Sequence, residues 1–204
     1  MTALLKIKNL ACLRSNNTIF SNLSFGIEKG KNVEIVGSNG SGKTTLLKCI
    51  LGLIEIEEGT IFWKNKQLKD CRNSFLRSCF YQGHQLSIKP SFTVFENLKY
   101  SGSAIGLDKE KISEACKKVG LKDYLFRTSS DLSIGQLKRV AIARWVLKDL
   151  DIYLIDEPFT SLDENGSVLI NEIVKDLNSK GISFLITGHR PSSVTSEKIY
   201  LDDY

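Results

Sequence analysis

The chain has 204 residues, with 28 Lys and Arg against 23 Asp and Glu and a formal net charge of +5. That length is one ordinary domain with a real core and excludes a second full domain. A composition of 42% hydrophobic and 25% charged residues excludes disordered and fibrous classes. The first third then reads as strands. Leu5 and Ile7 alternate with Lys6 and Lys8, and Leu23, Phe25 and Ile27 alternate with Ser24, Gly26 and Glu28. Val33, Glu34, Ile35 and Val36 form a strand that runs into Gly37, and residues 60–63 are β-branched and aromatic. Between these two, residues 44–52 are helical, with Leu46, Leu47, Ile50 and Leu51 on one face.

From about Asn73 to Leu150 the period becomes helical: Ile112, Ala115, Cys116 and Val119 form one stripe, and Leu137, Val140, Ala141, Arg144 and Val146 another. Ile152, Tyr153, Leu154 and Ile155 make an apolar run of strand length, as a strand buried on both faces requires. Ile170, Ile173, Val174 and Leu177 fall at helical spacing, and residues 182–186 are a second buried strand. The pattern is an α/β core with a helical stretch in its middle.

The longest nearly uncharged apolar stretch, residues 49–54, is far short of the roughly 18–20 residues that span a bilayer. Residues 1–8 show no apolar segment followed by a cleavage site. The chain is therefore expected to be soluble and to reach a membrane only through a partner. Cys12, Cys49, Cys71, Cys79 and Cys116 are odd in number and lack a C-x-x-C, which fits reduced thiols rather than a disulfide framework or zinc site. Lys6, Lys8, Lys29, Lys31, Lys64, Lys66 and Lys69 are dispersed, so the mild positive charge reads as a solvated surface and no nucleic-acid partner is expected.

Gly37-Ser38-Asn39-Gly40-Ser41-Gly42-Lys43-Thr44 fits G-x-x-x-x-G-K-[ST] at every position, after a strand and before a helix. The glycines let the backbone approach phosphate without a Cβ in the way. Loop amides and the helix N-terminus direct partial positive charge at the anion. Lys43 reaches the β- and γ-phosphates, Thr44 offers a hydroxyl to Mg²⁺, and Thr45 follows in the first helical turn. The motif is a nucleotide site. The apolar run ending in Asp156-Glu157 supplies two carboxylates whose side chains diverge at a strand end: one to hold Mg²⁺, one to polarise a water that attacks the γ-phosphate.

Leu132-Ser133-Ile134-Gly135-Gln136, which opens a helix, resembles the signature segment of ATP-binding-cassette (ABC) ATPases, with Ile134 in place of the usual glycine. Ser161-Leu162-Asp163 is similar to the family's D-loop, and His189, after the strand at 182–186, to its switch histidine. The resemblance runs from about Leu4 to Tyr200. It implies a P-loop NTPase core of the ABC ATPase kind, with an N-terminal antiparallel β subdomain and a helical subdomain inserted at about 73–147, all within one domain spanning 1–204. It further implies hydrolysis of Mg·ATP by a head-to-tail dimer, each signature segment closing over nucleotide held by the other copy, with transmembrane permease subunits as partners.

Two positions depart from the family pattern. No aromatic stands near Cys12-Leu13-Arg14-Ser15, where the family stacks adenine; Arg14 offers a guanidinium plane instead. The Q-loop glutamine falls among Gln82, His84 and Gln85, which spacing does not separate. Tyr81-Gln82-Gly83-His84-Gln85, with the Lys89–Leu98 stretch, resembles the ATP-binding subunits of cytochrome c maturation (haem exporter) complexes. That resemblance implies haem-delivery membrane proteins as partners and a place on the cytoplasmic side of the inner membrane. The alternatives are an ABC ATPase for another cargo, such as lipoprotein, metal or amino acid, and a non-transport ABC ATPase. The short span between Lys43 and Asp156 leaves no room for the coiled-coil arms common in the latter.

Overall fold

A computed structural model describes residues 3–14, 17–101, 106, 108–160, 162–194 and 197–204. The chain packs as two units: Met1–His84 with Leu150–Thr160 and Val174–Tyr204, and Gln85–Asp149 with Ser161–Ile173. The first unit holds both sheets. Strands β1 (Leu5–Arg14), β2 (Asn17–Ile27), β4 (Glu58–Trp63) and β5 (Lys66–Gln67) form an antiparallel sheet in the order β2-β1-β4-β5. In β1 the alternation places Leu5 and Ile7 in the core and Lys6 and Lys8 in solvent. A bulge at Asn9, with φ 47°, then resets the phase so that Leu10, Ala11 and Cys12 are all buried. Across from the bulge stands Gly59 at φ +93°, where a Cβ would collide with the Asn9 carbonyl.

The second sheet is parallel: β6 (Cys79–Gln82), β7 (Ile152–Ile155), β8 (Ser183–Gly188), β3 (Asn32–Val36) and β9 (Glu197–Tyr200), in the order β6-β7-β8-β3-β9. All four residues of β7 are fully buried, as a central parallel strand demands. Helix α1 (Lys43–Ile50) joins the two sheets: its Leu46, Leu47 and Ile50 share one buried cluster with Ile7, Leu23 and Ile27 of the first sheet and Val33, Ile35, Leu154 and Leu185 of the second. Helix α2 (Leu68–Ser78) adds Leu68 and Phe75 to this cluster, Phe75 meeting Trp63 edge-on at 5.1 Å. Residues 73–84, read from sequence as the start of the helical stretch, thus belong to the first unit and include a strand. Cys79-Phe80-Tyr81-Gln82 is only half-buried and shows no alternation; its pairing with β7, a contact made across some seventy residues of chain, is what makes it a strand.

The second unit is helical, with α3 (Val94–Lys99), α4 (Lys109–Lys118) and α5 (Ile134–Ala143) in mutual contact. Ile112, Ala115, Cys116 and Val119 are buried, as their spacing requires. A 3₁₀ turn over Arg144–Val146 ends the α5 stripe. Buried Arg144 donates to the carbonyls of Leu86 (2.7 Å) and Ser87 (2.9 Å), fixing the chain just after Gln85. Helix α6 (Glu164–Ser179) begins in this unit and ends in the first. Among the described residues no helix is long and apolar enough to cross a membrane.

Candidate functional site

The site lies in the first unit, where the carboxyl ends of β3, β7 and β8 meet, the place where open parallel sheets bind ligands. After β3 the chain turns through Gly37–Thr44. An added Cβ at Gly37 would run into Ser41 Oγ, and one at Gly42, with φ +102°, into the Ile19 side chain. Gly42 is also the N-cap of α1 and offers no side-chain acceptor, so the first amides of the helix stay available to an anion. Lys43 is 4% exposed, and its Nζ arches back to donate to the carbonyls of Gly37 (2.9 Å) and Ser38 (2.8 Å). Ser41 Oγ is buried and has no hydrogen-bond partner among the described residues. A lone hydroxyl, a helix N-terminus and a tethered ammonium in one loop fit a polyphosphate.

At the end of β7, buried Asp156 accepts from Thr44 Oγ1 at one oxygen and from Thr187 Oγ1 at the other, both at 2.7 Å. Glu157 then adopts φ 53°, and its N–H donates to Thr187 Oγ1 at 3.0 Å. The strand has ended at Ile155, so this left-handed turn, rather than strand alternation, separates the two carboxylates. Glu157 Oε2 lies 2.9 Å from His189 Nε2, and Oε1 lies 3.5 Å from Lys43 Nζ. The third side of the triangle is Lys43 Nζ to His189 Nδ1, also 3.5 Å. Residues separated by more than a hundred positions thus converge within hydrogen-bonding reach. A carboxylate oriented by an imidazole beside an ammonium suits activation of a nucleophile next to a phosphate.

Thr44 and Asp156 give a hydroxyl and a carboxylate, the hard oxygen donors that Mg²⁺ takes. Gln82, the last residue of β6, touches this centre through its backbone, its carbonyl accepting from Asp156 N–H at 2.8 Å. His84 is exposed in the first unit, and Gln85 is exposed in the second. Burial first, and then the charge of Asp156, push the Tyr81 phenol pKa up. Arg14 is exposed at the end of β1, whereas neighbouring Cys12 is a core residue. Cys12 faces Cys49, whose thiol pKa is pushed up to about 12 by burial and then by Cys12.

The signature residues sit in the second unit. Ser133 caps α5 in a reciprocal box: Gln136 N–H donates to Ser133 Oγ (3.3 Å) and Ser133 N–H to Gln136 Oε1 (2.9 Å). Leu132 is buried, Ile134 is 71% exposed, and a Cβ at Gly135 would meet nothing closer than 4.0 Å. Asp163 Oδ1 accepts from Gly166 N–H at 2.7 Å with Leu162 half-buried before it; Ser161 lies outside the described residues.

Sequence reasoning missed two residues that build this centre. Thr187 bridges both acidic residues, yet in the sequence it is one more β-branched residue in an apolar strand. Glu34, fully buried on β3, accepts from Ser192 N–H (3.0 Å) and Ser192 Oγ (3.0 Å), tying down the loop that follows His189. Its signal was available: a lone carboxylate in a strand otherwise buried on both faces requires a partner.

Comparison with known proteins gives the family. The sequence pattern of the ABC transporter family matches residues 20–160. Cytochrome c biogenesis ATP-binding export protein CcmA of Hahella chejuensis is 34% identical over 197 residues, covering 96% of this chain and 93% of that one. CcmA of Mannheimia succiniciproducens is 36% identical over 193 residues, covering 93% and 90%. Among solved structures, a Pyrococcus furiosus chain described as an ABC transporter ATP-binding protein superposes with a TM-score of 0.86 at 27% identity, covering 98% of both chains. With a nucleotide loop, paired carboxylates and histidine assembled at one sheet end, and relatives aligned over nearly the full length, the chain belongs to the ABC transporter family of ATP-binding proteins.

Proposed function

We propose that this chain is the ATP-hydrolysing subunit of a membrane export complex serving cytochrome c biogenesis, moving haem or releasing a haem-loaded chaperone. The Lys43–Glu157–His189 triangle carries the catalytic part of this reading. Lys43 and the loop residues from Gly37 to Thr45, through Ser38, Asn39, Gly40, Ser41 and Gly42, hold the phosphates. Thr44 and Asp156 hold Mg²⁺, which when bound shields the charge of the phosphate oxygens. Glu157 accepts the proton of the attacking water, and His189 orients Glu157 through its 2.9 Å contact. The exposed start of α5 supports a role in trans: Ser133, Gly135 and Gln136 of one copy close on nucleotide held by a second, with Leu132 and Ile134 flanking them. Leu162 and Asp163, with Ser161, belong to that contact between copies. Gln82, His84 or Gln85 reports γ-phosphate to transmembrane permease subunits, on the cytoplasmic face of the inner membrane. Arg14 stacks on adenine.

The relatives' names support the biogenesis role. Glu157→Gln is the test. Turnover is expected to fall by about 10²–10⁴, the usual contribution of a general base, while ATP binding by titration persists. A strain carrying that variant as its only copy should fail to mature c-type cytochromes. Normal turnover would remove Glu157 from its role, and normal cytochrome maturation would remove the chain from that pathway.

A further inference from the structure

One carboxylate outside every recognised motif grips the phosphate loop. Asp202 lies in a 3₁₀ turn, Leu201–Asp203, that directly follows β9. The turn is anchored on both sides: Leu201 is 1% exposed within the main core cluster, and the Tyr204 carbonyl accepts from Ser21 N–H at 2.8 Å. From that fixed point Asp202 Oδ2 accepts from Ser38 N–H (2.9 Å) and Oδ1 from Ser38 Oγ (2.8 Å). Ser38 is the node of the loop. Its carbonyl accepts both from Lys43 Nζ (2.8 Å) and from Ser41 N–H (3.2 Å). Among the described residues Ser38 makes four polar contacts, two outward to Asp202 and two inward to the residues that form the cradle.

We propose that Asp202 is a positioning residue for nucleotide binding, acting through Ser38 to hold the phosphate loop and the Lys43 ammonium in their binding geometry. This rests on the reading of Gly37–Thr44 as the ATP site. A two-point clasp on one residue fixes both its backbone orientation and its side-chain rotamer, so the entropy of ordering the loop is lost on folding rather than on binding. These two hydrogen bonds from Ser38, aided by nearby Lys43, also hold the Asp202 carboxyl below the usual carboxylate range, so it is ionised at neutral pH. The same geometry has an opposite reading. A carboxylate on a phosphate loop is itself an anion, and one that competed with phosphate for the Ser38 donors would weaken ATP binding instead of strengthening it. The two readings predict shifts of opposite sign.

The experiment is an equilibrium titration of Mg·ATP against the full chain, for wild type, Asp202→Ala, Asp202→Asn and Ser38→Ala, with the double variant Ser38→Ala/Asp202→Ala. The expected result is about tenfold weaker binding for Asp202→Ala, the loss of a hydrogen bond to a charged group. Asp202→Asn should recover to within about twofold, because an amide can accept from the backbone N–H and donate to Ser38 Oγ. The double variant should bind no more weakly than Asp202→Ala, since the two effects share one contact. At saturating ATP, the kcat of Asp202→Ala in the assembled complex should stay near wild type while its ATP affinity falls, which separates loop positioning from loss of chemistry. Tighter binding in Asp202→Ala, unchanged binding, or additive effects would each overturn the proposal. Should Asp202→Ala not fold, hydrogen exchange at the Ser38 amide of the wild-type chain decides: protection supports the clasp and free exchange refutes it. Failure of wild type to bind Mg·ATP would instead sink the nucleotide reading on which the proposal stands.

Discussion

Helix α1 in the first unit and helix α5 in the second both begin beside a glycine and present backbone amides where an anion can approach. Their surroundings differ. At α1 the neighbouring polar groups are tied into a net: Lys43 to two carbonyls, Thr44 to Asp156, Asp156 to Thr187, Ser38 to Asp202. At α5 the bonds are local, Ser133 and Gln136 satisfying each other, while Ile134 and Gly135 stand open. A site that must bind within its own chain is preorganised by long-range contacts. In its proposed role in trans, the start of α5 needs only a well-capped helix and a clear approach.

The sharpest way to break this comparison is to make the same substitution in both places. Gly42→Ala forces a side chain onto φ +102° and into Ile19. It should destabilise the first unit by about 1–3 kcal/mol and abolish measurable ATP binding. Gly135→Ala enters open space near a helix start. It should leave the melting temperature unchanged or raise it, by up to about 1 kcal/mol in stability, and leave ATP binding by the isolated chain intact. Turnover in the assembled complex should nonetheless fall about 100-fold, the cost of holding a reacting partner about 1 Å away. If Gly135→Ala complexes hydrolyse ATP normally, the open helix start is not a docking surface for nucleotide on another copy.

Thr187 probes the net itself. Thr187→Val preserves shape in a fully buried position but removes the donor to Asp156 Oδ1 and the acceptor for Glu157 N–H. Stability should fall by about 1–3 kcal/mol, the usual cost of an unsatisfied buried polar group. Turnover should drop about tenfold with little change in ATP affinity, since Glu157 loses the contact that holds its left-handed turn. Thr187→Ser should restore both. Separate measurements of kcat and ATP affinity check this, and a loss confined to affinity would show that the net serves binding rather than chemistry.

The two regions also differ in how much of each was legible in the sequence. The signature helix was readable nearly whole, because its start is set by contacts three residues apart: Ser133 and Gln136 are the box that local pattern encodes. The P-loop and the Asp156-Glu157 pair were readable as motifs. The residues that hold them in place were not, because Thr187 and Asp202 act across 31 and 164 positions and no local periodicity marks such a contact. Glu34, a lone carboxylate in a buried strand, showed that it needs a partner but not that the partner is Ser192, 158 positions away. The same reason hid β6: Tyr81 and its neighbours are a strand only because β7 lies beside them. The helical stripe at Ile112–Val119, by contrast, was fixed by its own spacing.

The smallest expected effect concerns acid, and it separates local from long-range bonding once more. In the second unit Glu96 accepts from Thr93 N–H (2.8 Å) and Thr93 Oγ1 (2.9 Å) in the capping box of α3. Those two bonds, backbone first, with a minor contribution from Lys99, hold its carboxyl below the ordinary value. A carboxyl whose pKa is depressed by folding adds stability above its unfolded pKa, about 4.3 for Glu. That contribution disappears as pH falls through the lower folded value. Melting curves of wild type and Glu96→Gln should therefore differ most near neutral pH and converge in acid, as protonation does to the wild type what the amide has already done. Asp202 carries a shift of the same sign, but its partner sits in the phosphate loop. Over the same acid range the wild-type advantage in ATP binding over Asp202→Asn, at most about twofold at neutral pH, should disappear as Asp202 is protonated. A wild-type binding curve parallel to that of Asp202→Asn down to acid pH would mean that the charge on this carboxylate contributes nothing, and that geometry alone holds the loop.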